Sequence, residues 1–215
     1  MRGLEQMKKI RLAVLLSGSG RTLDNIHDRI AAGDLPAKVE VVVASRPDAL
    51  GLQKAGEREI PAFCVRRKNH PDDNSFSAAI NELIAPFNPS LILLAGFMHF
   101  YRIPDQYQGM VMNIHPALIP AFCGKGYYGH HVHQAVLDYG AKVSGCTVHF
   151  ADNRYDHGPI IVQRTVPVLE DDTPDDLAAR VFEQECKAYP EAIKLFAQGR
   201  IEIIGRKVRI RPLQT

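Results

Sequence analysis

Ile10-Arg11-Leu12-Ala13-Val14-Leu15-Leu16-Ser17-Gly18-Ser19-Gly20-Arg21-Thr22-Leu23 sets the fold class. An apolar run too short to cross a membrane and too continuous for a half-exposed strand reads as a strand buried on both faces. The Ser-Gly-Ser-Gly turn then opens a helix that runs to about Ala32 and is stopped by Gly33. A second continuous apolar run, Val39–Ala44, repeats the strand signal, and a helix from about Ala49 to Arg58 follows. The alternation goes on with a short strand at Ala62–Val65, a helix from about Asn74 to Pro86 and a strand at Leu91–Ala95. Strands separated by helical stretches of about ten to fifteen residues indicate βαβ units in a Rossmann-like, doubly wound α/β fold. Its mostly parallel sheet carries helices on both faces. Ligands bind such sheets at the carboxyl ends of the strands.

The glycine loop lies at such an end. Its backbone N–H groups sit at the positive pole of the following helix and suit an anion. Leu23 takes the place of the third glycine of a dinucleotide loop, Ser45-Arg46 stands where a ribose-binding acid would end the second strand, and the loop has no P-loop lysine. A phosphomonoester therefore fits better than a dinucleotide, with a purely structural tight turn as the competing reading.

A second strand-end feature is Asn113-Ile114-His115-Pro116-Ala117-Leu118-Ile119-Pro120, after the apolar Met110-Val111-Met112. On a strand, residues i and i+2 point the same way, so Asn113 and His115 project together, and the prolines stiffen the loop behind them. A donor and a titratable base aimed at one atom are the elements of acid–base chemistry. Downstream, Val143–Ala151 and Ile160–Val168 read as strands joined by a turn in which Asp156 precedes Gly158-Pro159. A carboxylate there either caps the turn or orients His115 and favours its protonated form. His149, alternating with Phe150, reads equally as a core histidine. A helix from about His131 to Tyr139 precedes these strands.

The last helix is marked by Thr173 as N-cap, Pro174 at N1, Asp176 at N3 and Gly199 as its stop. On it Val181, Glu185, Ala188, Ala192 and Leu195 form one stripe, which puts an acid among apolar neighbours. That acid meets either a protein cation or a ligand that is cationic or rich in hydroxyls.

Bulk properties exclude more than they select. The 215 residues are 46 % apolar and 23 % charged with net charge +2, which suits one domain and no nucleic-acid partner. The alternating Arg206–Arg211 tail reads as a charged edge strand. Four scattered cysteines argue for reduced thiols in the cytoplasm. His130, His131 and His133 lack metal-ligand spacing, so no metal is expected.

Taken together, the motifs SGSGRTL, LAGFM (Leu94–Met98), NIHPALIP, GCTVHF (Gly145–Phe150), YDHGPIIVQ (Tyr155–Gln163) and DDLAARVFEQECKAYPEA resemble the glycinamide ribonucleotide transformylases, folate-dependent formyltransferases of purine synthesis. The resemblance runs from about residue 10 to about residue 205. It implies one domain over residues 1–215, with a ribonucleotide phosphate-binding half at about 8–100 and a folate-binding, catalytic half at about 101–205. It implies formyl transfer from 10-formyltetrahydrofolate, as cosubstrate, to the amine of 5′-phosphoribosylglycinamide on the route to IMP. Asn113, His115 and Asp156 match the family's catalytic residues, with Asp156 keeping the pKa of His115 high. Gly20, Arg21 and Thr22 match the phosphate loop and Glu185 the ribose contact. Met98, His99, Phe100 and Tyr101, with Asn113, match the folate pocket. Small-molecule substrates are expected, with no nucleic acid and no membrane, and a homodimer is open.

Four departures stand out. His99 follows Gly-Phe-Met where a basic residue is usual, and Asp73 or a neighbour replaces an arginine near the folate tail. Phe182 stands in place of a polar ribose contact, and the Cys123–Gly129 loop is longer than in compact relatives. The related methionyl-tRNA formyltransferases and formyltetrahydrofolate hydrolases carry an extra domain for which this chain has no room. An NAD(P) oxidoreductase would leave Asn113, His115 and Asp156 without roles.

Overall fold

A computed structural model describes residues 9–213; residues 1–8 and 214–215 of the expected domain span lie outside it. Seven strands form one sheet in the order β3-β2-β1-β4-β5-β6-β7. They are β1 (Ile10–Leu16), β2 (Ala37–Ala44), β3 (Ala62–Cys64), β4 (Leu91–Leu94), β5 (Val111–His115), β6 (Val143–Phe150) and β7 (Ile160–Pro167). The first five run parallel, and β6 and β7 run antiparallel to their neighbours. Helices α1 (Arg21–Ala31), α2 (Leu50–Gly56), α3 (Asp73–Ile84), α4 (His130–Tyr139) and α5 (Pro174–Ala197) complete the layers. The charged tail pairs β9 (Lys207–Ile210) with β8 (Ile201–Ile204) in a separate hairpin, not as an added edge of the main sheet.

The unbroken apolar run of β1 has the expected cause. Leu12, Val14 and Leu16 pack into a core with residues of α1, α2, α4 and α5, while Ala13 and Leu15 face a second core built on Phe76, Ile80 and Ile84 of α3. Strand alternation thus serves two apolar faces, and a polar residue on either would lack a partner. Helix α5 has the foreseen start: Thr173 Oγ1 accepts from the Asp176 N–H while the Asp176 carboxylate accepts from the Thr173 N–H. It also reaches across the sheet. The hydroxyl of buried Tyr189 donates toward the carbonyl oxygens of Met112 at 2.9 Å and Leu94 at 3.2 Å, fixing α5 against the ends of β5 and β4. Chain order reverses between β1 and β4, and the segments leaving their carboxyl ends, Ser17–Gly20 and Ala95–Tyr101, meet there. None of the described helices is long and apolar enough to cross a membrane.

Candidate active site

The glycine loop begins at Ser17, whose buried hydroxyl accepts from the Met98 N–H at 2.9 Å and shares a hydrogen bond with the Ser45 hydroxyl 2.6 Å away. One hydroxyl thus ties the loop to β2 and to the segment after β4. Gly20 caps α1 at φ 71° with no side-chain cap, which leaves the first-turn N–H groups open to an anion. A Cβ at Gly20 would lie 2.8 Å from the Gly51 Cα, so the position tolerates only glycine. Asp24 in the first turn would repel an anion, but its carboxylate is paired with Lys54 at 2.6 Å and Arg58 at 2.9 Å. The Arg21 guanidinium sits 4.3 Å from the centre of the Phe182 ring, where the apolar residue supports the cation. Gly20, Arg21, Thr22, Phe182 and Glu185 line one cleft. Glu185 is half-buried, and the loss of water around it pushes its carboxyl up to about 7 against the pull of Arg21.

A second cleft adjoins the first, and Gly96, Met98, Ile114, Pro116 and Gly129 line both. Into it project Asn113, His115, His149 and Asp156. Asn113 and His149 are direct cross-strand partners in the antiparallel β5–β6 register. The His149 Nδ1 faces the carbonyl of Phe150 at 2.9 Å, which only accepts, so Nδ1 carries the proton. In the neutral ring Nε2 is then an acceptor and receives the Asn113 amide N–H at 3.2 Å; the same amide reaches Asp156 Oδ1 at 3.4 Å. The Asp156 Oδ2 accepts from the Gly124 N–H at 2.8 Å, which ties the Cys123–Gly129 loop to the centre.

His115 is buried, and its Nε2 donates to the Phe122 carbonyl at 2.8 Å. Its free nitrogen, Nδ1, therefore faces Asp156 Oδ2 at 3.7 Å. Burial lowers the imidazole pKa below its ordinary value and outweighs the upward pull of Asp156 and the Phe122 carbonyl. Asp156 does pull the ring's pKa up, as expected, but burial is the larger influence and the net direction is down. Burial pushes the Asp156 carboxyl up, but it stays below its ordinary value beside the two imidazoles, with the Gly124 N–H bonded to it. Asp156 adopts φ 46°, a left-handed conformation that Asp tolerates better than most residues. The stiffness behind His115 rests on Thr147, whose buried hydroxyl donates to the Ala117 carbonyl at 2.7 Å and accepts from the Ile119 N–H at 3.1 Å.

Met98, His99, Phe100 and Tyr101 line this second cleft. Phe100 packs on Tyr155 with ring centres 4.9 Å apart. Tyr101 is a wall brace more than a surface: it is buried, and its hydroxyl bonds to Asn81. His99 stands edge-on to Phe76 and Phe97, and burial lowers its pKa. Asp73 does not leave that region without a cation, since Arg67 Nε reaches it at 2.9 Å from outside the helix. Both clefts draw on residues from either side of residue 100.

Sequence reasoning did not place His149 at the centre, because only the β5–β6 register brings it to Asn113. From sequence alone His130 and His133 read only as candidate metal ligands, whereas both line the first cleft. Among the described residues no group of three or more His, Cys, Asp or Glu is arranged around a metal position.

Residues 10–193 match the family described as formyl transferase. The chain is 36 % identical over 199 residues to the phosphoribosylglycinamide formyltransferase of Haemophilus influenzae, covering 92 % of this chain and 91 % of that one. It is 36 % identical over 197 residues to the chloroplastic phosphoribosylglycinamide formyltransferase of Vigna unguiculata, covering 91 % of this chain but only 63 % of that protein's length. The crystal structure of glycinamide ribonucleotide transformylase 1 from Symbiobacterium toebii superimposes with a TM-score of 0.89 at 41 % identity, covering 99 % of this chain and 98 % of that one.

Proposed function

This chain belongs to the formyl transferase family, and we propose that it transfers the formyl group of 10-formyltetrahydrofolate to the amine of 5′-phosphoribosylglycinamide. The products are the N-formyl ribonucleotide and tetrahydrofolate, and the step belongs to de novo IMP synthesis in the cytoplasm, where Cys64, Cys123, Cys146 and Cys186 remain free thiols. The observation that supports the reading is that the cleft holding Asn113, His115 and Asp156 adjoins the glycine-loop cleft along a shared strip of Gly96, Met98, Ile114, Pro116 and Gly129. One cleft offers an anion loop and an acid suited to ribose hydroxyls. The other is walled by Met98–Tyr101 and Tyr155 and suits a flat, partly apolar ring system.

In this reading Gly20, Arg21 and Thr22 hold the phosphate and Glu185 accepts from the ribose. The folate lies against Met98, His99, Phe100 and Tyr101. The substrate amine attacks the formyl carbon, forming a C–N bond and turning the carbonyl into an oxyanion. The Asn113 amide N–H released from its long contact with Asp156 donates to that oxygen, the largest electrostatic contribution of such sites. His115 Nδ1 accepts the proton that the attacking nitrogen sheds and, as an imidazolium beside Asp156, adds positive charge near the oxyanion. It then returns the proton to N10 of the folate as the old C–N bond breaks. A neutral base in the resting site is the state this sequence requires.

The test is direct. Purified protein is mixed with the ribonucleotide and a 10-formylfolate donor, and formyl loss is followed with and without ribonucleotide. Ribonucleotide-dependent turnover is expected; formyl loss that ignores the ribonucleotide would indicate hydrolysis, and none at all from folded protein would refute the transfer reading.

A further inference from the structure

The mechanism leaves one buried polar group unused. His133, in the first turn of α4, is only 4 % exposed, and its Nδ1 has no hydrogen-bond partner among the described residues. It lines the ribonucleotide cleft, as Pro116 and Gly129 do. An orphaned N–H inside a protein is rarer than an orphaned acceptor, so the favoured tautomer leaves Nδ1 bare and carries its proton on Nε2, the nitrogen nearer the cleft. Burial, helped by His130 and His115, pushes the His133 pKa down to about 4. The ring is therefore a neutral donor near neutral pH, a poor match for a dianionic phosphate and a good one for an uncharged oxygen.

Its place in the cleft narrows the choice. Gly129, four residues before it, and Pro116 belong to the strip shared with the catalytic pocket, and His133 is close enough to His115 for that ring to act on its pKa. Only the glycinamide arm of the ribonucleotide would lie along that strip, and its one uncharged acceptor is the amide carbonyl. We propose that His133 donates a hydrogen bond to the carbonyl oxygen of the glycinamide arm, positioning the amine for attack. This rests on the ribonucleotide reading above.

The test uses two probes, 5′-phosphoribosylglycinamide and ribose 5-phosphate, which lacks the arm, each titrated calorimetrically into wild type, His133→Leu and His133→Gln. His133→Leu is expected to weaken the glycinamide ribonucleotide about ten-fold, the size of one hydrogen bond, and to leave ribose 5-phosphate unchanged. His133→Gln, which restores an N–H, is expected to recover most of the loss. Steady-state kcat/KM should fall by at least the loss in affinity, with kcat itself reduced because the amine is no longer held for attack. Because leucine removes an unpaired buried nitrogen, its Tm is expected to hold or rise, which separates a binding defect from misfolding. Equal weakening of both probes, or no weakening of either, overturns the assignment. Wild-type protein that binds neither probe overturns the ribonucleotide reading itself, and the His133 role with it.

Discussion

In the catalytic pocket each polar group answers another: Asn113 to His149 and Asp156, Asp156 to Gly124, His115 to Phe122. In the cleft beside it the Glu185 carboxyl makes no hydrogen bond to a described residue, and His133 leaves a buried nitrogen unpaired. The first region is cross-linked by hydrogen bonds; the second holds a carboxyl and an imidazole whose ionisation burial suppresses and whose polar atoms have few partners. Preorganisation suits the reaction centre, where donors must already stand where charge will develop. Incompleteness suits a recognition surface, where an unpaired group rejects ligands that cannot answer it.

The sharpest break in this contrast is at the centre. His115→Ala and Asp156→Asn are each expected to lower kcat by roughly 10²–10⁴, the usual range for a general acid–base group, with ribonucleotide affinity little changed. Near-full activity of Asp156→Asn in stopped-flow assays would mean that the carboxylate only holds the loop. Next comes Glu185→Gln. A carboxyl titrating near 7 in the folded chain and 4.5 when unfolded makes the native state the better proton binder, so stability is lost as pH rises through that window. The amide removes this dependence. At pH 8 it should gain on the order of 1–3 kcal/mol in urea titrations, discounted for residual exposure, while ribonucleotide binding weakens about ten-fold.

His133 carries the opposite sign. With a pKa of about 4 in the folded chain and 6.5 unfolded, it lets the unfolded state bind more protons, so stability falls as pH drops from 6.5 towards 4. His133→Leu should flatten that limb by roughly 1–3 kcal/mol, measured by urea titration at both pH values. An unchanged acid limb would place its orphaned nitrogen in contact with water. The smallest effect belongs to Phe182→Leu, which removes the ring beneath Arg21 and should weaken phosphate-bearing ligands about two- to five-fold.

Much of this arrangement was legible in the chain itself, for physical reasons. The glycine loop, the Asn113–His115 spacing and the capping box are local, set by backbone preference and side-chain alternation over a few residues. Glu185 declared itself as an acid on an apolar stripe. What escaped was whatever depends on pairing between distant segments. His149 meets Asn113 through strand register, and Arg67 reaches Asp73 across a turn. The lowered pKa of His115 escaped for another reason: a partner can be named from sequence, but the competition between charge and burial depends on how much water the finished fold excludes.

Gly20 and Gly51 carry one more consequence. The side-chain-free faces of the loop and of α2 lie against each other, and a Cβ on Gly51 would in turn strike Leu16 at 2.5 Å. Strand, loop and helix are therefore stacked like a tumbler, lever and bolt, with no slack between them. Gly51 lies outside the residues lining either cleft, yet a methyl group there would press on Leu16, the last residue of β1 before the glycine loop. By this geometry Gly51→Ala should show up as a substrate-binding defect, and α2 is hardware of the lock although it never meets the key.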